Sequence, residues 1–468
     1  MTARILQLTS FGGVCLVVLL SPWLFGAWEQ WWFWPFTALI FLSTLAFAGQ
    51  LILSAAATDG AQDAPGRQVR VAVLLCALFT GYACVLFLQA EVFADAERNF
   101  LRFLTPLLLA AQVLFGFSRR QARWLFALLL ADLCLLGLYG LINHALNGSR
   151  LVLGCERYAQ YAGRLTGSYY CPDHFAGVME LALGLCLGLL LTRAAGRAWQ
   201  TLAGLVAAIA LTAIVWSKSR GAGLTVLVLL AAAAAWGLGQ WPPIVRRRLR
   251  FAGAALALAA LVLFVHLAPG YVTRFGAYFG WDQARGQPFA EKRRIVLTHL
   301  EGRDRPQMIA GALRAWRSSP RAMVFGIGPG MHQNLWPHFA ASADGDRAAH
   351  KWPKYPNNTY HSYEVHSDWV QLLEEYGLVG LLLFLAAAAA AVAALLAELR
   401  RESRELAERQ WRPTGDLKHA VVLGALLGIA ALGFHSLGDF NLQMPATVWL
   451  LGAIAALAGA ETRPDYPA

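Results

Sequence analysis

Charged residues are scarce in this chain of 468 residues: Asp, Glu, Lys and Arg make up 14% of it, whereas 57% is hydrophobic. An ordinary soluble domain carries about 25% charged residues, so the composition excludes a soluble globular fold. The mean hydropathy of +0.48 and the recurrence of apolar runs of about 18 residues or more indicate a polytopic membrane protein instead. Its core must be the bundle of membrane helices itself.

Other features are missing as well. No internal repeat is visible, which argues against transporter folds that are built from repeated halves. The first apolar run, residues 5–25, has no small-residue cleavage site of the usual kind, so we expect a retained first span rather than a removed signal peptide. No cluster of histidines and carboxylates with metal-ligand spacing stands out, and we expect neither a metal nor another cofactor.

The apolar runs predict an all-α integral membrane protein with about twelve transmembrane helices. The predicted spans are roughly 5–25, 33–55, 70–90, 100–117, 123–145, 172–192, 199–216, 221–241, 249–268, 367–397, 419–437 and 443–460. Two connections are long, 146–171 and 269–366. The second should be mostly helical, with an amphipathic helix at about 306–319. The chain thus divides into 1–268 (spans one to nine), 269–366 (a large loop) and 367–468 (spans ten to twelve).

The distribution of arginine predicts the orientation. Basic clusters occupy every second connection, at 67–70, 119–123, 193–197, 246–250 and 400–418, whereas the connection EVFADAERN on the opposite side is acidic. By the positive-inside rule both termini are cytoplasmic and the large loop is periplasmic. The net charge of +11 therefore reflects inner loops, and we expect no nucleic-acid partner.

Tryptophan and cysteine give weaker indications. The cluster Trp28, Trp31, Trp32 and Trp34 lies between the first two spans, where an interfacial aromatic belt is expected, although stacking on a ligand is the alternative. Five of the seven cysteines lie in spans, where they are apolar packing residues. The other two, Cys155 and Cys171, share an outer loop and are either bridged or free.

Topological parity brings several polar residues to one side of the membrane. Arg220, in SKSRGAG, follows seven predicted spans, the large loop follows nine, and His366 immediately precedes the tenth. Lys218 and Arg220 lie at the membrane surface, where long basic side chains can simply extend to the interface. Positive charge on the outer side runs against the topology bias, however, and this favours an anionic partner for Arg220.

The large loop contains further candidates for anion binding. Arg303 and Arg305 precede its amphipathic helix, and FGIGPG (325–330) follows it. The arginine fork suits a diphosphate because it makes paired, charged hydrogen bonds. Glycine loops let backbone amides approach a phosphate, although a plain turn explains Gly328 and Gly330 equally well.

The segment VHSDWVQLLEEYG starts the tenth predicted span. Ser367 or Asp368 can cap this helix, but His366 has no role in a cap and can act as a base near neutral pH. Asp132 and Glu180 lie within apolar spans, where they are either functional or lock helices together. The run HSLGDFNLQMP (435–445) is either the floor of a site or a helix break, and we favour the structural interpretation.

Together these motifs resemble the O-antigen ligase and polymerase superfamily of bacterial membrane glycosyltransferases, over roughly 166–385 with a weaker tail to 445. Four blocks carry the resemblance: TGSYYCPDHFAGVMEL, SKSRGAG, RPQMIAGAL, and FGIGPG followed by HSDWVQLLEEYGLVG. Asp173 stands where the family usually has Asn. Matched block by block, the family's functional positions are His174, Arg220, Arg305 (Arg303 in the rival register), His366 and Glu375.

The resemblance implies transfer of a glycan from an undecaprenyl diphosphate carrier to an acceptor hydroxyl at the periplasmic face of the bacterial inner membrane. His366, Arg220 and Arg305 would be catalytic. Substrate binding would fall to Lys218, Arg303, Gly328, Gly330, His174 and Glu375. The acceptor would be lipid A core, a second lipid-linked glycan or a protein hydroxyl, and the surroundings would include membrane lipids. A proton-coupled or lipid-linked-sugar transporter is the alternative outside the enzyme class.

Overall fold

The computed structural model describes residues 2–57, 66–192, 196–239, 269–301, 304–341, 362–408 and 417–460. These segments are helical almost throughout, which confirms the predicted all-α class. A single short hairpin interrupts the helices, with strand β1 (Leu151–Val152) antiparallel to β2 (Cys155–Glu156). It lies in the connection that follows the fifth helix.

Seventeen helices follow one another in the described segments. Before the large loop they are α1 (Thr2–Leu20), α2 (Gln30–Ala57), α3 (Arg67–Leu88), α4 (Phe93–Gly116), α5 (Arg119–Asn147), α6 (Pro172–Leu191), α7 (Arg197–Ser217) and α8 (Arg220–Gly239). In the loop they are α9 (Pro269–Phe279), α10 (Trp281–Ala284), α11 (Phe289–Glu301), α12 (Asp304–Trp316), α13 (Pro320–Phe325) and α14 (His332–Ala341). The last three are α15 (Asp368–Glu408), α16 (Lys418–His435) and α17 (Pro445–Gly459).

Ten of the described helices, α1 to α8 with α15 and α16, are long and apolar enough to cross a membrane. The predicted twelfth span corresponds to α17, which is apolar but has 15 residues. The predicted ninth span, 249–268, lies outside the described residues. The six helices between 269 and 341 agree with the predicted helical loop, and α12 matches its predicted amphipathic helix. The boundaries of the three-part division stay a prediction.

Glycines allow α6 and α16 to pack very closely. A Cβ atom on Gly188 would lie 2.3 Å from the carbonyl oxygen of Ala420, and one on Gly184 would lie 2.9 Å from the backbone nitrogen of Gly428. Small residues let two membrane helices approach until their backbones touch. This contact holds the first turn of α6 beside the last turn of α16, where much of the polar chemistry is found.

The structure extends α4 at its N-terminal end. We predicted a span from residue 100, but the helix begins at Phe93 and includes most of EVFADAERN. Asp95 lies in the first turn, where a negative charge is favourable to the helix dipole. The extra turns place Arg98 and Asn99 on the helix rather than in a loop, and Asn99 is buried together with Arg102 of the predicted span.

Helix α15 is broken at Gly377, where φ is 66° and ψ is −171°. Only glycine adopts this conformation without strain. The break exposes the carbonyl groups of Glu374 and Glu375, which accept hydrogen bonds from the amides of Ile327 (2.9 Å) and Gly328 (3.1 Å). The glycine loop 325–330 therefore fastens the large loop to α15.

Candidate active site

Asp439 is the centre of a polar cluster between α6, α15 and α16. Its carboxylate lies 3.1 Å from a terminal nitrogen of Arg305 and 3.4 Å from Nδ1 of His366. Nε2 of His174 is 3.8 Å away, and Nε2 of His435 is 3.9 Å away. Two of the predicted catalytic residues, His366 and Arg305, thus meet on one buried carboxylate.

Asp439 and Arg305 each stabilise the charged form of the other. Burial alone would raise the pKa of Asp439, but the Arg305 guanidinium and hydrogen bonds from His174 and His366 hold that pKa well below its usual range. Burial alone would lower the pKa of Arg305, and the carboxylates Asp439 and Asp173 hold it above its usual range. Both groups therefore stay charged at neutral pH.

A second carboxylate, Asp173, lies beside the first. It lies 2.7 Å from a terminal nitrogen of Arg164, and Arg305 approaches it to 3.6 Å. Arg164 also donates to the carbonyl of Ser217 at the end of α7. This hydrogen bond attaches the loop 148–171 to the bundle. Burial and the two carboxylates raise the pKa of the neighbouring Cys171 thiol to about 12.

Arg220 lies near Arg305 and Asp173. Its guanidinium stacks over the ring of Tyr278 at 4.0 Å from the centroid, and it interacts electrostatically with Arg305 and Arg274. Burial, followed by the charge of Arg164, lowers the pKa of Arg274. Four guanidinium groups, from Arg164, Arg220, Arg274 and Arg305, therefore surround two carboxylates, and this excess of positive charge suits an anionic ligand.

The remaining predicted anion ligands have protein partners or are not described. Lys218 adopts a left-handed conformation (φ 52°) and donates to the carbonyl of Gly163 at 2.9 Å. The amide of Gly328 donates to Glu375, so it points at a helix carbonyl rather than into open space. Gly330 packs on the backbone of Asp95. Arg303 lies outside the described residues.

A cavity of about 630 Å³ opens beside His366. His366 and His174 form part of its wall, whereas Arg220, Arg274 and Arg305 are not among its lining residues. Glu375 also lines it, and accepts a hydrogen bond of 2.8 Å from Asn99 on α4. Three of the predicted site residues, His174, His366 and Glu375, thus line the cavity, whereas the guanidinium groups of the cluster do not.

The backbone of His366 is strained. Its φ of 58° is unusual for a residue with a side chain, and such strain tends to occur at functional sites. The ring packs edge-on against Phe440 at 4.6 Å, and the ring of His174 packs on Phe440 at 4.3 Å. Phe440 therefore holds both imidazoles beside Asp439.

Asp368 has a different role from the predicted helix cap. Its carboxylate accepts a hydrogen bond of 2.9 Å from the amide of Leu442, and its own amide donates to the carbonyls of Ser436 and Asp439. These bonds fix the 436–442 segment against the start of α15. The sequence of a helix start could not reveal this partner, because it is 74 residues away.

Glu374, which had no role in the sequence interpretation, pairs with His332 of α14 at 2.8 Å. Nε2 of the same histidine lies 3.0 Å from the Ser362 hydroxyl. Burial alone would lower the pKa of His332, and Glu374 raises it. This ion pair is a second attachment of the large loop to α15.

The two intramembrane carboxylates have partners within the bundle. Asp132 accepts a hydrogen bond of 2.7 Å from Nε1 of Trp23, which links α5 to the segment after α1. Glu180 lies 2.9 Å from Nδ1 of His435, and both side chains are fully buried. The contact of Asp132 favours the interpretation that it holds helices together. Glu180 is linked to Asp439 through His435, which lies near both carboxylates.

The structure decides between the alternatives left open for the outer-loop cysteines and for the tryptophan cluster. Cys155 and Cys171 are both free in the structure. Trp31 and Trp34 are exposed, as an interfacial belt requires, but Trp28 lines the cavity and lies under Arg98 and Arg102, each 5.1 Å from its ring. The belt interpretation therefore does not hold for Trp28.

Sequence reasoning missed four residues of the cluster: Asp173 and Arg164 as its second ion pair, Arg274 on α9, and Asp439 as its centre. For Asp439 we favoured the structural interpretation, although it ends a predicted span on the same side as His366. That parity was the available signal. Among the described residues no group of three or more His, Cys, Asp or Glu side chains could hold a metal ion. The large loop contains one Asp-x-Asp sequence, at 344–346, a pattern that can bind a metal ion. It lies outside the described residues.

Comparison with known proteins gives one family match. A family model described as O-antigen ligase matches residues 205–385. This range includes Arg220, Arg305, His366 and Glu375, and stops short of His174 and Asp439. A search of curated proteins finds no match to the chain. The family supports a ligase- or polymerase-type membrane glycosyltransferase, and residues 205–385 of this polytopic membrane protein are similar to the O-antigen ligase family.

Proposed function

We propose that this protein transfers a glycan from an undecaprenyl diphosphate carrier to an acceptor hydroxyl at the periplasmic face of the inner membrane. The observation that carries the proposal is the excess of guanidinium groups beside His366. Arg164, Arg220, Arg274 and Arg305 outnumber Asp173 and Asp439. A lipid-linked diphosphate is an anion at a membrane surface, and it gains negative charge as the glycosidic bond breaks.

The proposed reaction is a single displacement. The acceptor oxygen attacks the anomeric carbon, and the bond between that carbon and the phosphate oxygen breaks with its electron pair moving to the diphosphate. Arg220 and Arg305 stabilise this leaving group. One displacement inverts the anomeric carbon, and no step requires a metal ion.

His366 receives the proton of the acceptor hydroxyl. Its Nδ1 faces Asp439 at 3.4 Å, so a proton on Nδ1 leaves the lone pair on Nε2 free to act as a base. Asp439 holds the imidazole in this tautomer and stabilises the imidazolium that forms, as a carboxylate does behind a catalytic histidine.

The proposal requires both the guanidinium groups and the imidazole for transfer. Arg220→Ala, Arg305→Ala and His366→Ala should each abolish glycan transfer while the protein still inserts into the membrane. Arg220→Lys should also be poor, because a point charge does not replace the planar fork. Full transfer activity in purified His366→Ala protein would remove histidine from the mechanism.

Three acceptors remain within the enzyme class, and one incubation separates them. Purified protein is mixed with carrier-linked glycan alone, and then with lipid A core or a protein acceptor. Chain growth without an added acceptor identifies a polymerase. Reaction only after addition of lipid A core or protein identifies a ligase or an O-oligosaccharyltransferase.

A transporter of lipid-linked sugars or protons is the competing class. It was motivated by Asp132 and Glu180, whose partners Trp23 and His435 lie inside the bundle. Movement of carrier-linked glycan across a proteoliposome membrane, with no new glycosidic bond, would support the transporter and contradict the transferase.

A further inference from the structure

The cavity beside His366 differs in chemistry from the guanidinium cluster. Its wall includes many aromatic rings, among them Trp28, Tyr158, Tyr161, Tyr170, Tyr363 and Phe440. Its volume of about 630 Å³ is that of a typical small-molecule site, for which about 300–1,000 Å³ is usual. A site of this kind binds a ligand through apolar faces and a few placed polar groups.

The charged groups of the cavity wall are mainly acidic. Four carboxylates line it, from Glu29, Asp95, Glu364 and Glu375, against the two guanidiniums of Arg98 and Arg102.

Both guanidiniums already have partners. Arg102 lies 3.3 Å from Glu364 and donates to the side chain of Gln443 at 2.8 Å. Arg98 donates to the carbonyl of Trp28. The cavity therefore presents acceptors for hydroxyl groups but little positive charge for an anion.

We propose that this cavity is the subsite for the acceptor glycan, and that it selects a glycan without carboxylate or phosphate groups. The inference rests on the proposed function, since it takes His366 as the base. The acceptor hydroxyl must reach that base, and His366 lines the cavity while Arg220 and Arg305 do not. The diphosphate and the acceptor then both lie beside one imidazole.

The wall suits a neutral sugar for two reasons. The faces of aromatic rings carry partial negative charge and attract the weakly positive C–H groups on the face of a sugar ring. Carboxylates such as those of Glu29 and Asp95 can accept hydrogen bonds from sugar hydroxyls. A uronic acid or a sugar phosphate would instead place a like charge beside Glu29 and Asp95, which costs binding free energy.

The binding test uses the purified full-length protein in lipid nanodiscs and saturation-transfer NMR. The probes are neutral trisaccharides of hexose, N-acetylhexosamine and deoxyhexose, each matched by a version of the same length that carries a uronic acid or a phosphate. At least one neutral probe should bind, and its acidic version should bind at least about 10-fold more weakly, which corresponds to about 1.4 kcal/mol. Undecaprenyl diphosphate, added in excess, should leave the signal of the neutral probe in place.

Two sets of variants locate the binding. Tyr158 lines the cavity and is 67% exposed, so Tyr158→Ala should weaken the neutral probe by about 2- to 10-fold without unfolding. Phe289→Ala is the matched control, because Phe289 is an aromatic residue of the large loop that is 84% exposed and does not line the cavity. Combining Glu29→Gln with Asp95→Asn should bring the acidic probe closer to the neutral one.

Several outcomes would overturn the subsite. These are equal or tighter binding of the acidic probes, no binding of any neutral probe, displacement by undecaprenyl diphosphate, or equal effects of Tyr158→Ala and Phe289→Ala. The proposed function fails separately. Equal transfer to neutral and acidic acceptors would refute the subsite alone, whereas selective sugar binding without any transfer would refute the transferase alone.

Discussion

At the scale of single residues, the chemistry depends on how Asp439 orients its neighbours. One carboxylate contacts His366, His174 and Arg305 within 3.8 Å. Removing one partner from a buried charged group is expensive, about 3–5 kcal/mol, because the remaining charge is left uncompensated. Arg305 has Asp173 as a second partner at 3.6 Å, so the cluster can lose one carboxylate and keep its fold.

Asp439→Asn tests this role. The amide keeps the size of the side chain but loses the charge that favours the imidazolium of His366. Transfer should fall by up to about 10⁴-fold, because the amide can leave the imidazole in the wrong tautomer for a base. The rate is measured with purified protein and normalised to the amount inserted. Asp282→Asn is the control, since Asp282 is exposed on α10; a loss of activity equal in both variants would contradict the special role of Asp439.

At the scale of elements, two attachments hold the large loop on α15. The first is the crossing of Gly326 and Gly377, where a Cβ atom on Gly377 would lie 2.4 Å from the amide nitrogen of Gly326. The second is the buried pair of His332 and Glu374. Because His366 immediately precedes α15, both attachments also determine where α12 and its Arg305 lie relative to the imidazole.

Gly377→Ala should destabilise the protein. Alanine at φ 66° and ψ −171° is strained by about 1–3 kcal/mol, and its Cβ would also clash with Gly326. We expect the thermal midpoint to drop by several degrees and the large loop to become sensitive to protease. Gly81→Ala is the matched control on α3, where a Cβ atom would meet nothing within 4 Å. Equal midpoints for the two variants would show that the crossing contributes nothing.

The His332–Glu374 pair should make loop attachment depend on pH. Glu374 raises the pKa of His332 in the folded state, above an unfolded value of about 6.5. The stabilisation is therefore fully present below the unfolded pKa and is lost as the pH rises through the folded pKa. The thermal midpoints of wild type and His332→Gln should differ most near pH 6 and converge at higher pH. His338→Gln, at an exposed position of α14, should match wild type throughout, and a constant difference for His332→Gln would contradict the ion pair.

At the scale of the whole molecule, the described spans place every site element at one end of the bundle. Helices α2, α4, α6, α8, α15 and α17 begin there, and α1, α3, α5, α7 and α16 end there. The start of α8 lies beside the end of α16, since a Cβ atom on Gly221 would lie 2.6 Å from Nε2 of His435. The cavity and the guanidinium cluster are both built from these helix ends and the loop that covers them.

Labelling can determine which side of the membrane this end faces. Cys155 is exposed in the hairpin after α5, so a membrane-impermeant maleimide should label it in intact spheroplasts. Arg404 lies exposed near the opposite end of α15. In a Cys155→Ser background, Arg404→Cys should react only after the cells are opened. The reverse pattern would place the candidate site in the cytoplasm and contradict the periplasmic reaction.

Hydrophobic patterning in the sequence was enough to determine the helical class and most spans. Each span must be apolar along its own length to lie in the bilayer, whatever its neighbours are. Local sequence also led to Arg220, Arg305 and His366 through the resemblance and the parity of crossings. Only the tertiary structure decided their partners. Asp439 lies 73 residues from His366 and 134 from Arg305, Glu374 lies 42 from His332, and the cavity joins helices α4 and α15. Such contacts depend on how helices pack against each other, and hydropathy along one helix carries no information about its neighbours.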